Sequence, residues 1–112
     1  MAEKFEVSYE KVDDIFYIGK SGKIKFSIDL SLPSGDVIVD IGFDGLVKGL
    51  EIMNASDFFS LHSDELEKIK NGKIAIVYNL SYGAITLLLE NGKEQIKSNL
   101  VIPYNKKLAV SS

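Results

Sequence analysis

The chain has 112 residues, of which 46% are hydrophobic and 26% charged, a composition typical of one globular domain rather than a disordered segment. It contains no cysteine, which excludes disulfides, thiolate catalysis and zinc–thiolate sites. The net charge is −3 and every basic residue is a lysine, so the arginine contacts that commonly bind phosphate and guanine are missing. We therefore expect a cytoplasmic domain without a membrane segment, and the charge disfavours a nucleic-acid partner.

Alternating apolar and polar residues predict three strands in the first third of the chain. Residues 5–9 alternate, residues 15–18 form a continuous apolar run, and residues 24–28 alternate again. A turn follows at residues 33–35, where Pro-Ser-Gly combines a fixed φ with a residue that tolerates positive φ. The chain thus begins as a series of short strands.

The clearest local feature is a hairpin over residues 36–53. Its two strands flank Asp44-Gly45, and Asp-Gly between alternating strands is typical of a two-residue type I′ turn, in which both residues need positive φ. The register that follows places Phe43 opposite Leu46, Ile41 opposite Lys48, Val39 opposite Leu50 and Val37 opposite Ile52. We expect that face, which is apolar except for Lys48, to meet the core.

Helical spacing replaces the alternation after the hairpin. Apolar residues from about residue 55 to residue 70 recur at steps of three and four, which predicts one helical face on the sheet. Ser56 and Ser63 both have the chemistry of an N-cap. One bent helix and two short helices therefore fit the segment equally well.

The last third of the chain returns to strands. Residues 73–80 are rich in isoleucine and valine, and two further strands flank Asn91-Gly92. Asn-Gly is a second type I′ hairpin signal, and a two-residue turn there would pair Glu90 with Lys93.

These elements together predict an α+β fold. It would be a mostly antiparallel β-sheet of hairpins with one helical segment, about residues 55–70, packed against it. We expect residues 1–112 to form a single domain, because no stretch has the composition of a linker.

Acidic residues on the second face of the hairpin are the candidate functional residues. In the predicted register Asp40 lies diagonal to Glu51, at about 7–8 Å between Cα atoms, and Asp36 is the other acid on that face. Two carboxylates can share a divalent ion or shift each other's pKa for proton transfer. Because a metal site would need further ligands, a solvated or partner-facing polar surface is the favoured interpretation.

Other patterns that carry chemistry are weak. His62 is the one histidine, and it lies near the apolar helical face without a nucleophile at a suggestive spacing. A packing role at a helix boundary is therefore favoured over catalysis. Gly42, Gly45 and Gly49 lie inside a hairpin rather than between a strand and a helix, so they do not predict a phosphate-binding loop.

Two stretches of the sequence share fixed spacings with a known family. The first is Tyr9-Glu-Lys-Val-Asp-Asp14-Ile-Phe16-Tyr17-Ile18, and the second is Val39-Asp40-Ile-Gly-Phe-Asp-Gly45-Leu-Val-Lys-Gly49-Leu50-Glu51-Ile52, followed by Ala55-Ser56. Together they resemble the domain of unknown function 2283 family over about residues 5–59, with Phe16 in place of the usual leucine. The resemblance implies a compact β-rich fold with a helix after the hairpin, and it brings no assigned activity. Residues 60–112, the predicted helix and C-terminal strands, lie outside it.

The missing catalytic groups and the many strand edges favour a non-catalytic domain that acts through protein–protein contacts. The partner would be another protein or a second copy in a homodimer, and no cofactor is expected. The alternative is a small-molecule or divalent-metal-dependent enzyme that uses Asp40 and Glu51.

Overall fold

The computed structural model of the protein describes residues 3–20, 22–78, 82–92 and 94–103. Its strands are β1 (Glu3–Glu10), β2 (Ile15–Gly19), β3 (Ile24–Leu32), β4 (Gly35–Gly42), β5 (Val47–Ile52), β6 (Asn71–Tyr78), β7 (Tyr82–Glu90) and β8 (Gln95–Pro103). Its helices are α1 (Ala55–Phe59) and α2 (Ser63–Glu67). The strands form a sheet in the order β3-β4-β5-β2-β1-β6-β7-β8, and every pairing is antiparallel, which confirms the predicted antiparallel character.

Strand β1 joins the two halves of the sheet. Its residues 6–10 pair with β2, whereas its residues 3–5 pair with β6. Side chains from both halves form a common core, which includes Phe16, Ile18, Leu50, Ile52, Ala55, Leu66, Ile85, Leu87 and Leu89. One face of β2, β4 and β5 meets this core, and the other, which we call the outer face, carries their polar side chains.

The helical segment predicted over residues 55–70 consists of two short helices rather than one. α1 ends at Ser60, whose φ of 55° is left-handed, and α2 begins after His62. The predicted serine N-caps are wrong, because Asn54 precedes α1 and His62 caps α2 by accepting a hydrogen bond from the Asp64 N–H. Each helix has five residues, so the fold is dominated by its sheet and the helical part is minor. Within the described residues, neither helix approaches the length that crossing a bilayer requires.

The body of the β4–β5 hairpin has the predicted register. Val37 pairs with Ile52 and Val39 pairs with Leu50, and all four side chains are buried. Nearer the tip, Ile41 pairs with Val47 rather than with Lys48, so the predicted pairing there is wrong. Lys48 is the extra residue of a β-bulge, and its ammonium forms an ion pair of 2.8 Å with Asp44.

The tip of this hairpin is a three-residue loop rather than a two-residue type I′ turn. The Gly42 N–H donates to the Leu46 carbonyl, and the Gly45 N–H donates to the Gly42 carbonyl. Only Gly45, with φ of 80°, has the left-handed conformation, which is the pattern of a turn followed by a bulge at glycine. Phe43 and Leu46, which the two-residue turn would direct to the core, are therefore 69% and 49% exposed.

The β7–β8 hairpin departs from its prediction in the same way. Glu90 pairs with Gln95 rather than with Lys93, which leaves a four-residue loop. The Asn91 side chain closes this loop by accepting a hydrogen bond of 2.8 Å from the Glu94 N–H. Lys93 itself lies outside the described residues.

Candidate functional site

Three polar residues, Tyr9, Asp14 and the distant Ser56, meet beside the turn between β1 and β2, and we call them the Asp14 cluster. Tyr9 Oη donates a hydrogen bond of 2.6 Å to Asp14 Oδ1. Ser56 donates twice, from its N–H to Asp14 Oδ1 at 3.0 Å and from its Oγ to Asp14 Oδ2 at 2.7 Å. Asp14 has a φ of 56°, a left-handed conformation that aspartate tolerates better than most residues. The cluster therefore fastens the start of α1 to the β1–β2 turn.

The pKa values of Asp14 and Tyr9 are both shifted away from neutral pH, so neither group gains or loses a proton there. Burial alone would raise the pKa of Asp14, but the hydrogen bonds from Tyr9 and Ser56 outweigh it and hold that pKa below its ordinary value. Burial, followed by the hydrogen bond and negative charge of Asp14, raises the pKa of Tyr9 to about 12. An ionised carboxylate and a protonated phenol hold each other in place, whereas a general acid or base needs a pKa near the working pH.

The candidate acids Asp40 and Glu51 lie on the outer face of the sheet. Asp40 pairs with Gly49 and Glu51 pairs with Ile38, so the two carboxylates are diagonal neighbours. Asp40 Oδ1 accepts a hydrogen bond of 2.6 Å from Ser27 Oγ. In the part of the chain that the structure describes, no three acidic or histidine side chains are grouped so that they could hold a metal ion.

The third candidate acid, Asp36, interacts with an acid of the neighbouring strand. Asp36 lies on β4 opposite Ser31 of β3, which is two residues along the strand from Asp29. Burial raises the pKa of Asp29, and the negative charge of Asp36 raises it further, together with a hydrogen bond in which the Asp36 carboxylate accepts the Asp29 proton. Two acids therefore lie together where β3 borders solvent.

Tyr17 belongs to this outer face and was missed by the sequence analysis. Burial, and then the negative charge of Asp40 and Glu51, raises the pKa of its hydroxyl. Its ring occupies the space above two glycines that pair with each other, Gly19 and Gly49. A Cβ at Gly19 would overlap the Tyr17 hydroxyl, and one at Gly49 would lie 3.1 Å from it. The usable signal was two glycines inside apolar strands, which indicates a close approach by another group.

Strand β3 is an edge strand of the sheet, and it is unusually long and apolar for an edge strand. It has nine residues and, among the described residues, it pairs only with β4. Phe26, Ile28, Leu30 and Leu32 form a row of half-buried apolar side chains, of which the last three pack against the core. The alternate residues of the strand are exposed, and Ile24 at its start is 42% exposed. We call the side of β3 that faces away from β4 the β3 edge.

These features define a small β-rich domain with a hydrogen-bonded polar cluster, an acidic outer face and an exposed edge strand. Residues 6–56 match the model of the family described as "Protein of unknown function (DUF2283)", and this segment of the chain belongs to that family. The resemblance noted in the sequence is thereby confirmed.

Two archaeal proteins are similar to the chain. An uncharacterized protein of Methanocaldococcus jannaschii is 33% identical over 105 residues, which cover 88% of this chain and 85% of the relative. A protein of Methanosarcina mazei named "Putative hypoxanthine phosphoribosyltransferase" is 36% identical over 70 residues, which cover 62% of this chain and 53% of that relative. The chain thus matches only about half the length of the second protein. No solved structure matches the chain significantly.

The family pattern corresponds to structural roles in this fold. Its Tyr9 and Asp14 meet its Ser56 in the Asp14 cluster. Its Gly45 has the positive φ of the hairpin tip, and its Gly49 lies under the Tyr17 ring. Most of the spacing that identifies the family is therefore explained by the way the chain folds.

Proposed function

We propose that this chain is a non-catalytic cytoplasmic domain that acts through protein–protein contacts made at the β3 edge. The observation that carries the proposal is a nine-residue strand whose outer side has no strand partner among the described residues. Such an edge presents a row of backbone N–H and C=O groups, and another chain can extend the sheet by pairing with them. The absence of cysteine supports the cytoplasmic assignment.

Few of the features that prevent edge pairing are present in β3. Proteins protect edge strands by making them short, or with lysine, proline, bulges and inward-pointing charges. The strand is long, its inward side chains from Phe26 to Leu32 are all apolar, and Pro33 comes only after its last residue. One exposed lysine, Lys25, and one bulge lie at the start of the strand, and the rest of it is regular.

The opposite edge strand, β8, is the weaker candidate. Its inward residues alternate with exposed ones, and Ser98 lies opposite Leu87 among them. Lys97 and Asn99 are exposed on its other face, and the strand ends at Pro103. β8 thus has a polar residue on its inward side, Ser98, and a proline, Pro103, both of which oppose pairing with another chain, whereas β3 has neither.

A catalytic function receives less support. The Methanosarcina mazei relative carries a transferase name, but the alignment covers 53% of it. A phosphoribosyl substrate needs cations or a loop of backbone N–H groups at its phosphates. The outer face instead carries the carboxylates of Asp40 and Glu51, and their negative charges would repel the phosphate groups of such a substrate. An enzyme that uses these two acids is therefore the less favoured alternative.

The proposal is tested by placing a charge in the apolar row of the edge. Ile28→Lys points a lysine inward from the middle of β3, and a double change of Ser27→Lys and Ser31→Lys adds exposed charge to the same strand without touching the core. The complexes formed by each purified variant, alone and in an extract of its native organism, are measured by size-exclusion chromatography with light scattering. Circular dichroism confirms that each variant is folded.

We expect both edge variants to lose the complexes that the wild-type protein forms. Asp40→Asn is the matched control, because Asp40 lies on β4, one strand in from the edge, and we expect it to keep them. A wild-type protein that is a strict monomer with no copurifying partner contradicts the proposal. Complexes that survive in both edge variants contradict it as well.

A further inference from the structure

We propose that the occupant of the β3 edge is β3 of a second copy of this chain, so that two sheets join across a two-fold axis. This inference rests on the proposed function and names its partner. The two strands run antiparallel, with Ser27 of one copy opposite the partner's Ser27. A symmetric contact of this kind is closed, because the same surface on each copy is used once.

The apolar row of β3 is complementary to itself in this register. Phe26 lies opposite the partner's Ile28, and the two-fold axis makes this pair twice. Cross-strand pairs of an aromatic with a β-branched side chain are among the favourable ones in antiparallel sheets. Phe26, Ile28 and Leu30 are only half-buried in a single copy, so pairing would cover apolar area on both chains.

The charges of β3 favour this register over the one that places Asp29 at the axis. With Ser27 at the axis, Lys25 lies opposite the partner's Asp29, and the symmetry makes that pair twice. A shift that places Asp29 at the axis would bring Asp29 against the partner's Asp29, which is unfavourable. Lys25 and Asp29 are the two charged residues of the strand, and both are exposed. The register with two opposite-charge pairs is therefore the one we assign.

The surroundings of these two residues support the pairing. Asp29 lies beside the carboxyl of Asp36, whose negative charge disfavours its ionisation, and a lysine ammonium would relieve that repulsion. Lys25 is the extra residue of the bulge between Ile24 and Phe26, so it has no opposite residue in β4. The partner's Asp29 would supply the missing cross-strand neighbour.

The register is tested by disulfide trapping, for which the chain offers a clean background because it contains no cysteine. Ser27→Cys places one thiol of each copy at the axis, with Cα atoms about 4.5–5.5 Å apart, a distance that a disulfide can bridge. Ser31→Cys is the matched control, since Ser31 is also exposed on β3 but would face the partner's Lys23. Mild oxidation followed by non-reducing electrophoresis gives the readout.

We expect Ser27→Cys to become a covalent dimer and Ser31→Cys to remain a single chain. A Ser27→Cys variant that does not cross-link overturns the register, and so does equal cross-linking of both variants. Cross-linking that is specific to Ser27→Cys at low protein concentration supports it.

A charge exchange tests the pairing without cysteine. We expect Lys25→Asp to weaken dimerisation about tenfold, because it places like charges opposite each other twice. The double variant Lys25→Asp with Asp29→Lys should restore the wild-type dissociation constant, since it reverses each pair without removing it. A double variant as weak as the single one overturns the inference.

Failure of this inference is distinguishable from failure of the proposed function. If the wild-type chain is a monomer by itself but binds another protein that Ile28→Lys no longer binds, the β3 edge remains the contact and the second copy is excluded. If no complex depends on β3 at all, both proposals fail.

Discussion

The Asp14 cluster and the β3 edge are both polar features of the sheet, and they differ in how completely the fold satisfies them. In the cluster, one carboxylate accepts hydrogen bonds from the Tyr9 hydroxyl and from both donors of Ser56. At the edge, one side of β3 has no strand neighbour among the described residues, and Asp29 lies beside another acid. The first region completes its interactions within the chain, and the second has an unpaired strand side with which we propose that a partner pairs.

This contrast separates the residues that maintain the fold from those that we expect to carry function. Hydrogen bonds to a buried or half-buried charge stabilise the native state. A substitution that removes the donor or the acceptor leaves the other group without a hydrogen bond. Exposed residues of an edge strand contribute little to stability but determine whether another strand can pair. Variants of the cluster should therefore change unfolding, and variants of the edge should change association.

The largest expected effect is on stability, in Asp14→Ala. Three hydrogen bonds lose their acceptor, and alanine is less tolerant of the left-handed φ, so we expect a loss of about 3 kcal/mol in the free energy of unfolding. Urea denaturation followed by circular dichroism measures the change. Asp13→Ala is the matched control, because Asp13 is an exposed acid next to it, and its effect should stay within about 0.5 kcal/mol. Equal losses in the two variants would show that the cluster does not fasten the fold.

A smaller loss is expected for Tyr9→Phe, which removes one of the donors to Asp14. The cost should be about 1.5 kcal/mol near neutral pH, the usual magnitude for a hydrogen bond to a charged group. The same urea denaturation gives the value. Tyr9→Phe should also leave the oligomeric state unchanged, and a variant that dissociates the complex would contradict the separation of the two regions.

The difference between the wild type and Tyr9→Phe should depend on pH. Because the pKa of Tyr9 is raised to about 12, the hydroxyl's contribution is fully present below about pH 10, the ordinary tyrosine value, and is lost as the pH rises from there through 12. The pKa of Asp14 is lowered, so its contribution is present above about pH 4 and is lost as the pH falls below that. Unfolding curves of both proteins across this range measure the difference. A difference that is constant from pH 9 to 12 would contradict the altered pKa of Tyr9.

Edge substitutions should leave the stability of the single chain almost unchanged. Lys25 and Asp29 are exposed, so the Lys25→Asp change should alter the free energy of unfolding by less than about 0.5 kcal/mol when measured at high dilution. The same protein should show the weakened dimer described above. A large loss of stability at high dilution would mean that the edge residues support the fold rather than a partner.

The smallest expected effect concerns divalent ions. Calorimetric titration with Mg²⁺, Mn²⁺ or Zn²⁺ should give no binding heat, because Asp40 and Glu51 lack a third ligand among the described residues. Asp40→Ala should behave identically. A saturable heat that disappears in Asp40→Ala would instead support the enzyme alternative.

The sequence predicted strand pairing correctly where only one register buries all the apolar side chains of the hairpin. Val37, Val39, Leu50 and Ile52 are buried and paired as predicted, because shifting the register by one residue would expose all of them. The tips of the hairpins were predicted incorrectly, because Asp-Gly and Asn-Gly fit a two-residue turn and longer loops with one left-handed residue alike. Phe43 shows the consequence, since one added loop residue moved it from the predicted core to solvent.

The candidate site was predictable only in part. Alternation was enough to place Asp40 and Glu51 on one face, but not to show that Asp36 interacts with Asp29 of the neighbouring strand. The Asp14 cluster joins residues 42 positions apart, and pattern within a short window cannot reveal such a contact. That β3 would be the edge depends on the strand order, which places β2 beside β5 instead of β3.

Amide hydrogen exchange at low and high protein concentration tests the central claim most directly, because it reads both regions in one sample. Pairing of β3 with a second copy would protect those amides of Ile24–Leu32 that point away from β4 as the concentration rises, while the amides around Asp14 should exchange at the same rate throughout. We predict that result. Exchange in β3 that is independent of concentration and unaffected by any protein partner would contradict the account.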